Sequence, residues 1–284
     1  MKLRLVALAL AAFSTVAAAH ADDTFRRTLD TSAQPDVYLS NGAGSLRIMQ
    51  SNDSSVEVVG HVHAGWKSFS DIEARVHRIV ANPPIKQSGN SIRIGEVTER
   101  SLLNNITIDY EIRVPHDTAL NLHTGSGDIE INSVGRFVAA SAGSGSIRAR
   151  EIHGPAELQS GSGDIEINET VAAPIKARSG SGSIRITGLN GSLNARTGSG
   201  DIEASGHLDG PSEASTGSGS VRLHTGDSSH FNLEAATGSG TIRVHFPGFE
   251  GHDNENRHHV TAPVNGGGAP LAIRTGSGDV EITR

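Results

Sequence analysis

Carboxylates recur beside glycine-rich triplets in this sequence, at a spacing that could support metal binding. Asp128 and Glu130 follow one Gly-Ser-Gly triplet, and the same pair returns at alternate triplets. Calcium prefers six to eight oxygen ligands, and some solenoids bind it at glycine-rich turns. Here arginine replaces the glutamate at the intervening triplets, and its positive charge opposes a bound cation. The pattern favours a turn-and-ladder role, both over calcium binding and over the unique carboxylate pair of a glycosidase.

Histidines are the second group of side chains that could do chemistry. The chain has 14 of them, and four gather with one aspartate near an irregular stretch at about residues 246–270. The candidate binding loop consists of His245, His252, Asp253, His258 and His259. Loops on rigid scaffolds often carry function. The loop lacks the His-x-x-x-His spacing of a helical zinc site, so we expect no metal or other cofactor.

The sequence offers no catalytic constellation. It contains no cysteine, which excludes a thiolate nucleophile and a disulfide framework. It also lacks a Gly-x-Ser-x-Gly elbow before a helix, a phosphate-binding loop and a zinc-protease motif. The net charge is −7 with histidine neutral, which argues against a nucleic-acid partner. We therefore expect a protein that is not an enzyme.

A repeat organises the second half of the chain. Gly-Ser-Gly triplets begin at Gly125, Gly143, Gly161, Gly180, Gly198, Gly217, Gly238 and Gly276. Apolar residues alternate with polar ones on both sides of each triplet, which predicts a strand, a turn and a second strand. A unit this short cannot bury its apolar face alone, so successive units must stack. The sequence predicts an all-β parallel solenoid with about 18–19 residues in each coil.

The polar position between the inward side chains indicates how the coils stack. Its residue alternates between glutamate and arginine from one repeat to the next. The predicted structural ladder consists of the residues at this position in six successive repeats: Glu130, Arg148, Glu166, Arg185, Glu203 and Arg222. With one repeat per coil, opposite charges lie ~4.8 Å apart, whereas two repeats per coil would stack like charges. We predict one repeat per coil and about nine coils. Each exposed pair contributes only ~0.2–1 kcal/mol, so the ladder specifies register more than stability.

Residues 22–115 are less regular and are predicted to form a strand-rich cap on the first coil. Strand patterns cover residues 36–49, 55–63, 91–97 and 106–114. Ser70 and Glu73 have the form of a capping box, which predicts one short helix over residues 71–80. Asn82-Pro83-Pro84 would end that helix. Residues 116–284 are assigned to the repeat solenoid.

Residues 1–21 predict a secretory signal peptide. Lys2 and Arg4 precede an apolar stretch, and Ala19-His20-Ala21 fits a small-x-small cleavage site. The alternative is a membrane anchor, but about 15 apolar residues are fewer than the ~20 that span a bilayer. We expect cleavage near Ala21 and an exported protein, either periplasmic or secreted to the cell surface. No later stretch has the length of a transmembrane segment.

Several motifs together resemble one known family. They are Asn41-Gly42-Ala43-Gly44, Asn82-Pro83-Pro84-Ile85, the segment from Tyr110 to Pro115, and the repeated Thr-Gly-Ser-Gly-Asp-Ile-Glu-Ile units. Over nearly all of its mature length the chain is similar to the bacterial putative-adhesin family, a domain of unknown function in envelope and secreted proteins. The resemblance implies a single-stranded, right-handed β-solenoid, or β-helix. It supplies no catalytic residues.

The predicted function is that of a non-enzymatic, exported β-solenoid that presents a repetitive surface, as an adhesin or envelope binding protein. An envelope protein or a glycan would be its partner. Two alternatives stay open. A polysaccharide-acting β-helix enzyme would need acids confined to a few coils. A structural protein could self-associate through its terminal coil, because the strand at residues 279–283 is expected to leave an open edge.

Overall fold

The computed structural model describes residues 23–65, 71–97, 99–169, 171–246 and 258–284. The predicted signal segment lies outside these residues, as do His252 and Asp253. The elements before the first repeat comprise seven strands, one α-helix and a short 3₁₀ helix at Arg100–Leu103. They are β1 (Asp23–Asp30), β2 (Asp36–Ala43), β3 (Leu46–Gln50), β4 (Ser55–Ala64), α1 (Ile72–Ala81), β5 (Ile85–Ser88), β6 (Ser91–Ile94) and β7 (Ile106–Val114).

The repeats form strands on both sides of each glycine triplet. The first ten are β8 (Ala119–Ser126), β9 (Ile129–Asn132), β10 (Phe137–Ala142), β11 (Ile147–Ile152), β12 (Ala156–Ser160), β13 (Ile165–Glu169), β14 (Ile175–Ser179), β15 (Ile184–Gly191), β16 (Leu193–Thr197) and β17 (Ile202–Leu208). The rest are β18 (Ser212–Thr216), β19 (Val221–Thr225), β20 (Phe231–Thr237), β21 (Ile242–His245), β22 (His259–Val264), β23 (Ala269–Thr275) and β24 (Val280–Thr283).

These strands form two twelve-stranded sheets, and each coil gives one strand to each sheet. Sheet A has the order β1-β4-β7-β3-β9-β11-β13-β15-β17-β19-β24-β21, and sheet B has the order β22-β20-β23-β18-β16-β14-β12-β10-β8-β2-β6-β5. Ile147 lies opposite Ile129 on one side and Ile165 on the other, all in parallel strands. The prediction of a β-solenoid with one repeat per coil is therefore confirmed. The handedness of its winding stays a prediction.

The core is a narrow column between the two sheets. Sheet A contributes branched side chains such as Ile129, Ile147 and Ile165, each at most 1 % exposed. Sheet B contributes small side chains at many facing positions, among them Ala177 and Ala195. Burying one isoleucine stabilises a fold by ~1.5–3 kcal/mol. This column, rather than the exposed charges, supplies most of the stability.

The triplet glycines are required because neighbouring coils approach closely. A Cβ added to Gly163 would lie 2.2 Å from the carbonyl oxygen of Gly145, and one added to Gly161 would lie 2.2 Å from that of Gly143. Neither Gly161 nor Gly163 has a positive φ. Close backbone approach therefore explains the repeated glycines, since any side chain would push the coils apart.

The stack of coils begins with β2 and β3, well before the first regular repeat. β2 pairs with β8, and β3 lies between β7 and β9. The stack therefore extends into the segment assigned to the cap. β1, β4 and β7 extend sheet A in antiparallel pairs, and the hairpin of β5 and β6 extends sheet B.

The one predicted α-helix is confirmed as α1. It buries Ile72, Val76 and Ile79 against the N-terminal end of the core. The predicted capping box stays a prediction, because Ser70 lies outside the described residues. Asp71 is the N-cap residue and its side chain makes no capping hydrogen bond. It forms an ion pair with Arg75 at 3.2 Å instead.

The C-terminal coils are not stacked in chain order. β23 and β24 lie between the coil of β18 and β19 and the coil of β20 and β21. The expectation that residues 279–283 leave an open edge is therefore wrong, because β24 pairs with strands on both sides. At this end of the stack the outermost strand of sheet A is β21, and β1 is the strand at the other edge. Charge explains the order, since direct stacking would place Arg243 beside Arg222, whereas Glu281 now separates them.

Candidate functional site

The outer face of sheet A carries an alternation of charge over ten strands. In spatial order the residues are Glu111, Arg47, Glu130, Arg148, Glu166, Arg185, Glu203, Arg222, Glu281 and Arg243. Chain order is broken near both ends, yet the sign changes at every step. Arg185 lies 3.1 Å from Glu203, and Arg47 lies 3.3 Å from Glu130. The six predicted ladder residues form the middle of this row.

A second row on the same face links the coils at the glycine corners. Asp201 Oδ1 accepts a hydrogen bond from the backbone N–H of Ser220 at 2.8 Å, while its Oδ2 lies 3.5 Å from Arg222. Asp128 and Asp164 accept the same backbone bond from the next coil. At Asp279, hydrogen bonds from Thr241 and then from Arg243 lower the pKa to about 2. These carboxylates are thus already engaged within the chain.

A shallow groove of about 320 Å³ crosses the middle coils on this face. Its charged walls combine three arginines with four acids: Arg148, Arg185, Arg222, Asp164, Glu166, Asp201 and Glu203. Most of these groups pair with one another across neighbouring coils. The groove consequently presents a nearly neutralised surface of structural charges.

The outer face of sheet B has no such alternation. One row of side chains runs Tyr38, Asn121, Ala139, Glu157, Lys176, Asn194 and Glu213. The adjacent row runs Ser40, His123, Ser141, Gln159, Arg178, Arg196 and Ser215. Uncharged polar groups predominate in the second row, whereas the first row mixes three charged residues with uncharged ones. This face can offer hydrogen bonds that the chain itself does not use.

Arg178 lies directly opposite Arg196 in the neighbouring parallel strand. Arg196 forms an ion pair with Glu213 at 2.6 Å. In the part of the chain that the structure describes, Arg178 has no ion pair or hydrogen bond. Two arginines therefore project from the same face of neighbouring strands, and only one of them has an acidic partner.

One other cross-strand pair of like charge occurs among the described strands. Lys86 lies opposite Arg93. Both reach the same carboxylate, because Glu96 lies 3.0 Å from Arg93 and 4.0 Å from Lys86. That pair is compensated within the chain, whereas the pair of Arg178 and Arg196 is compensated only in part.

Two aromatic side chains are exposed on the same face. Tyr38 is 39 % exposed and Phe137 is 40 % exposed. They lie in β2 and β10, which are separated by the single strand β8. The Arg93 guanidinium lies 5.0 Å from the centre of the Tyr38 ring, in a cation–π contact. Between the aromatic groups the surface carries the short side chain of Ala119 and the amide of Asn121.

The structure divides the predicted histidine loop. His245 ends β21 in sheet A, whereas His259 begins β22 in sheet B. His259 Nε2 lies 3.1 Å from Thr261 Oγ1, and the carbonyl of His258 accepts a hydrogen bond from Thr237. Across residues 23–246 and 258–284, apart from the gaps given above, no three metal-ligating side chains gather. The candidate binding loop stays a prediction.

A column of buried hydroxyl groups was missed by the sequence analysis. Ser160 Oγ donates to the carbonyl oxygen of Gly145 in the preceding coil at 2.8 Å, and Thr197 Oγ1 donates likewise to Gly182. The column contains Thr124, Ser160, Ser179, Thr197, Thr216, Thr275 and Thr237. A signal was present, since Ser or Thr precedes seven of the eight triplets. Ala142 is the exception.

Glu169 is a second residue that the sequence analysis missed. It is 5 % exposed, and among the described residues neither carboxylate oxygen has a hydrogen-bond partner of ordinary geometry. Burial raises its pKa to about 7, and the backbone N–H of Asn190 opposes only part of that rise. The sequence did indicate this burial. Glu169 follows Ile167 by two residues, and the alternation of a strand directs both side chains inward.

The fold and its surfaces define a parallel β-solenoid repeat protein with two unlike faces. The chain belongs to the Toastrack DUF4097 family, which matches residues 37–283. This match confirms the resemblance to a putative-adhesin domain of unknown function. No curated protein matches the chain. None of the helices within the described residues has the length and apolar character needed to cross a membrane.

Solved structures similar to the chain include two bacterial proteins described as putative adhesins. The protein from Bacteroides fragilis is 12 % identical, with 91 % of this chain and 96 % of that chain covered and a TM-score of 0.43. The one from Parabacteroides distasonis is 11 % identical, with the same coverage and a TM-score of 0.42. A putative cell adhesion protein from Clostridium sporogenes is 12 % identical over 92 % of this chain and 98 % of its own, with a TM-score of 0.24.

Proposed function

We propose that this protein is a non-enzymatic binding protein of the adhesin type, exported from the cytoplasm, and that the outer face of sheet B is its binding surface. The main support for this proposal is that the two faces differ in how many of their side chains already have partners within the chain. On sheet A nearly every charge has a partner in the next coil. On sheet B, Arg178 has no acidic partner among the described residues, and the rings of Tyr38 and Phe137 stay exposed, although Arg93 contacts one side of Tyr38.

Energetics favours the face whose groups are not already engaged. A ligand on sheet A would have to displace ion pairs and backbone hydrogen bonds that hold the coils in register. A ligand on sheet B meets exposed aromatic rings, which contribute large contact areas at low cost in conformational entropy. Asn121 lies opposite Tyr38, and Gln159 lies further along the same face, so that both amides could fix the orientation of the ligand.

Export is supported by the sequence of residues 1–21. If the signal is cleaved after Ala21, the mature protein begins Asp22-Asp23-Thr24. N-terminal sequencing of the protein recovered from the periplasm or medium should give that sequence. An N-terminus at Met1 in the cytoplasmic fraction would contradict export.

Binding can be tested with a glycan array and with pull-downs from envelope extracts. The double variant Tyr38→Ala, Phe137→Ala removes the exposed rings of sheet B. Val171→Ala is a matched control, because Val171 is 37 % exposed and lies in the turn between β13 and β14. We expect the wild type and the control to retain the same ligands and the double variant to lose them. Equal retention by all three, with unchanged thermal unfolding, would refute the assignment of this face.

Self-association is a second candidate function, favoured by one observation. β21 is the outermost strand of sheet A, and its Ile242 and Val244 are only half-buried. Edge strands of this kind can pair with another chain. Light scattering across a concentration series should show growth of the particle mass if edges pair, and a constant monomer mass if they do not.

A further inference from the structure

The pair of Arg178 and Arg196 departs from the charge pattern of the rest of the solenoid. Like charges directly opposite each other in a sheet are destabilising. Sheet A avoids that arrangement at all nine steps of its ladder, even where chain order is broken. A local departure from a rule that the rest of the fold obeys is expected at functional sites.

The surroundings of the pair leave a net positive charge. Lys176, in the adjacent row, lies 4.0 Å from Glu157, and Arg196 is paired with Glu213. Three cations therefore face two carboxylates, and the excess charge belongs to Arg178. Gln159 and Ser215 flank the two arginines in the same row, so hydrogen-bond donors continue on both sides.

We propose that Arg178 and Arg196 form a site for an oxyanion carried by an acidic glycan. The proposal rests on the function proposed above and names its ligand class. The two guanidinium groups project from strands ~4.8 Å apart. Each offers a planar fork of donors that matches a carboxylate or sulfate group, and two such forks can hold one oxyanion between them.

The aromatic end of the same face favours a glycan over other anions. Tyr38 lies in β2, five strand steps or ~24 Å from Arg196 in β16. An extended chain could therefore contact the rings and the arginines together. The C–H face of a pyranose ring packs against an aromatic ring, while Asn121 and Gln159 face its hydroxyl groups.

A nucleic acid fits this surface poorly. The chain carries a net charge of −7, and nucleic-acid binders neutralise many phosphates with a basic patch or stripe. One arginine pair with an excess of one charge suits an anion that is sparsely spaced. Acidic glycans in which neutral sugars separate the charged ones carry such anions.

The test measures binding of four polymers to the purified mature protein by biolayer interferometry. Hyaluronan carries a carboxylate on every second sugar, lightly substituted dextran sulfate carries sulfates, neutral dextran carries neither, and poly(dT) carries phosphates. The variant Arg178→Gln removes the unpaired charge. Arg222→Gln is the matched control, because it removes one arginine from the opposite face.

We expect one or both acidic glycans to bind the wild type, and which one binds identifies the anion. Arg178→Gln should weaken that binding about tenfold or more, as loss of a charge-assisted hydrogen bond does. Arg222→Gln should change it less than about twofold, since salt screens an exposed charge on the opposite face. Circular dichroism of both variants checks that each remains folded.

Four results would overturn the anion site. They are no binding of either acidic glycan, equal weakening by the two variants, equal affinity for neutral dextran, and tighter binding of poly(dT). None of them decides the proposed function, which depends on the Tyr38 and Phe137 variant. Loss of ligand in that variant together with unchanged binding in Arg178→Gln would keep the binding face and refute only the acidic ligand.

Discussion

Replacing Glu169 by glutamine should make the protein more stable at alkaline pH and leave it nearly unchanged at acidic pH. The carboxyl group is buried at the end of β13 without a hydrogen-bond partner of ordinary geometry. It must either keep its proton or bear a charge away from water. Glutamine has nearly the same shape and never ionises, so the substitution isolates the effect of the charge.

The size of the effect follows from the shift in pKa. Burial raises the pKa of Glu169 from 4.5 to about 7. Between these values the folded state holds a proton that the unfolded state has released, so the wild type loses stability as pH rises from 4.5 to 7. At about 1.4 kcal/mol per pH unit, the loss amounts to about 3 kcal/mol at pH 8. Below pH 4.5 both states are protonated and the loss vanishes.

Urea unfolding of wild type and Glu169→Gln between pH 4.5 and 8.5 measures this difference directly, because the other titrating groups cancel. We expect the stability advantage of the variant to grow through that interval and then level off. Glu166→Gln is the control, since Glu166 lies three residues away on the exposed ladder and should show no such gain. An advantage independent of pH, or a variant less stable than wild type at pH 8, would refute the reasoning.

Three further substitutions test the packing between coils. Ala142→Ser should complete the hydroxyl column and raise the free energy of unfolding in urea by about 1 kcal/mol; a loss would show that the hydroxyl cannot reach its partners. Gly163→Ala should lower the thermal midpoint markedly, because its Cβ would lie 2.2 Å from the Gly145 carbonyl, whereas Gly226→Ala, with open space around it, should unfold like wild type. Tyr110→Phe removes a buried hydroxyl that has no partner, so calorimetry should show equal or higher stability, by up to about 1 kcal/mol; a clear loss would contradict this.

The solenoid was predictable because its repeat is encoded locally. Each coil has the same glycine triplet and the same alternation, so period and strand type are visible in any one unit. The charge pattern also pointed to the order of the last strands. Arg222 and Arg243 come from successive repeats, and Glu281 is the acid that alternation requires between them. This order could not be predicted by assuming that coils stack in chain order, because β24 lies between β19 and β21. β1 was missed because its partner β4 is distant in sequence. β5 was missed because it is short and buries little, with only Ile85 half-buried.

The candidate binding face was harder to predict than the fold. Tyr38 and Phe137 belong to different parts of the chain, and only the pairing of β2, β8 and β10 brings them onto one surface. Arg178 and Arg196 occupy the same position in successive repeats, but the outward row of sheet B has no motif to single them out. The histidine stretch was predicted as a binding loop because it interrupts the repeat. An irregular sequence does not by itself bring side chains together.

The inserted C-terminal coil has a consequence for how the molecule assembles. Residues 231–245 are synthesised before residues 269–283, yet they rest on the surface that the later segment provides. Growth from one winding to the next can therefore proceed only as far as β19. β23 and β24 must dock on β18 and β19 before β20 and β21 can complete that end of the stack, or together with them.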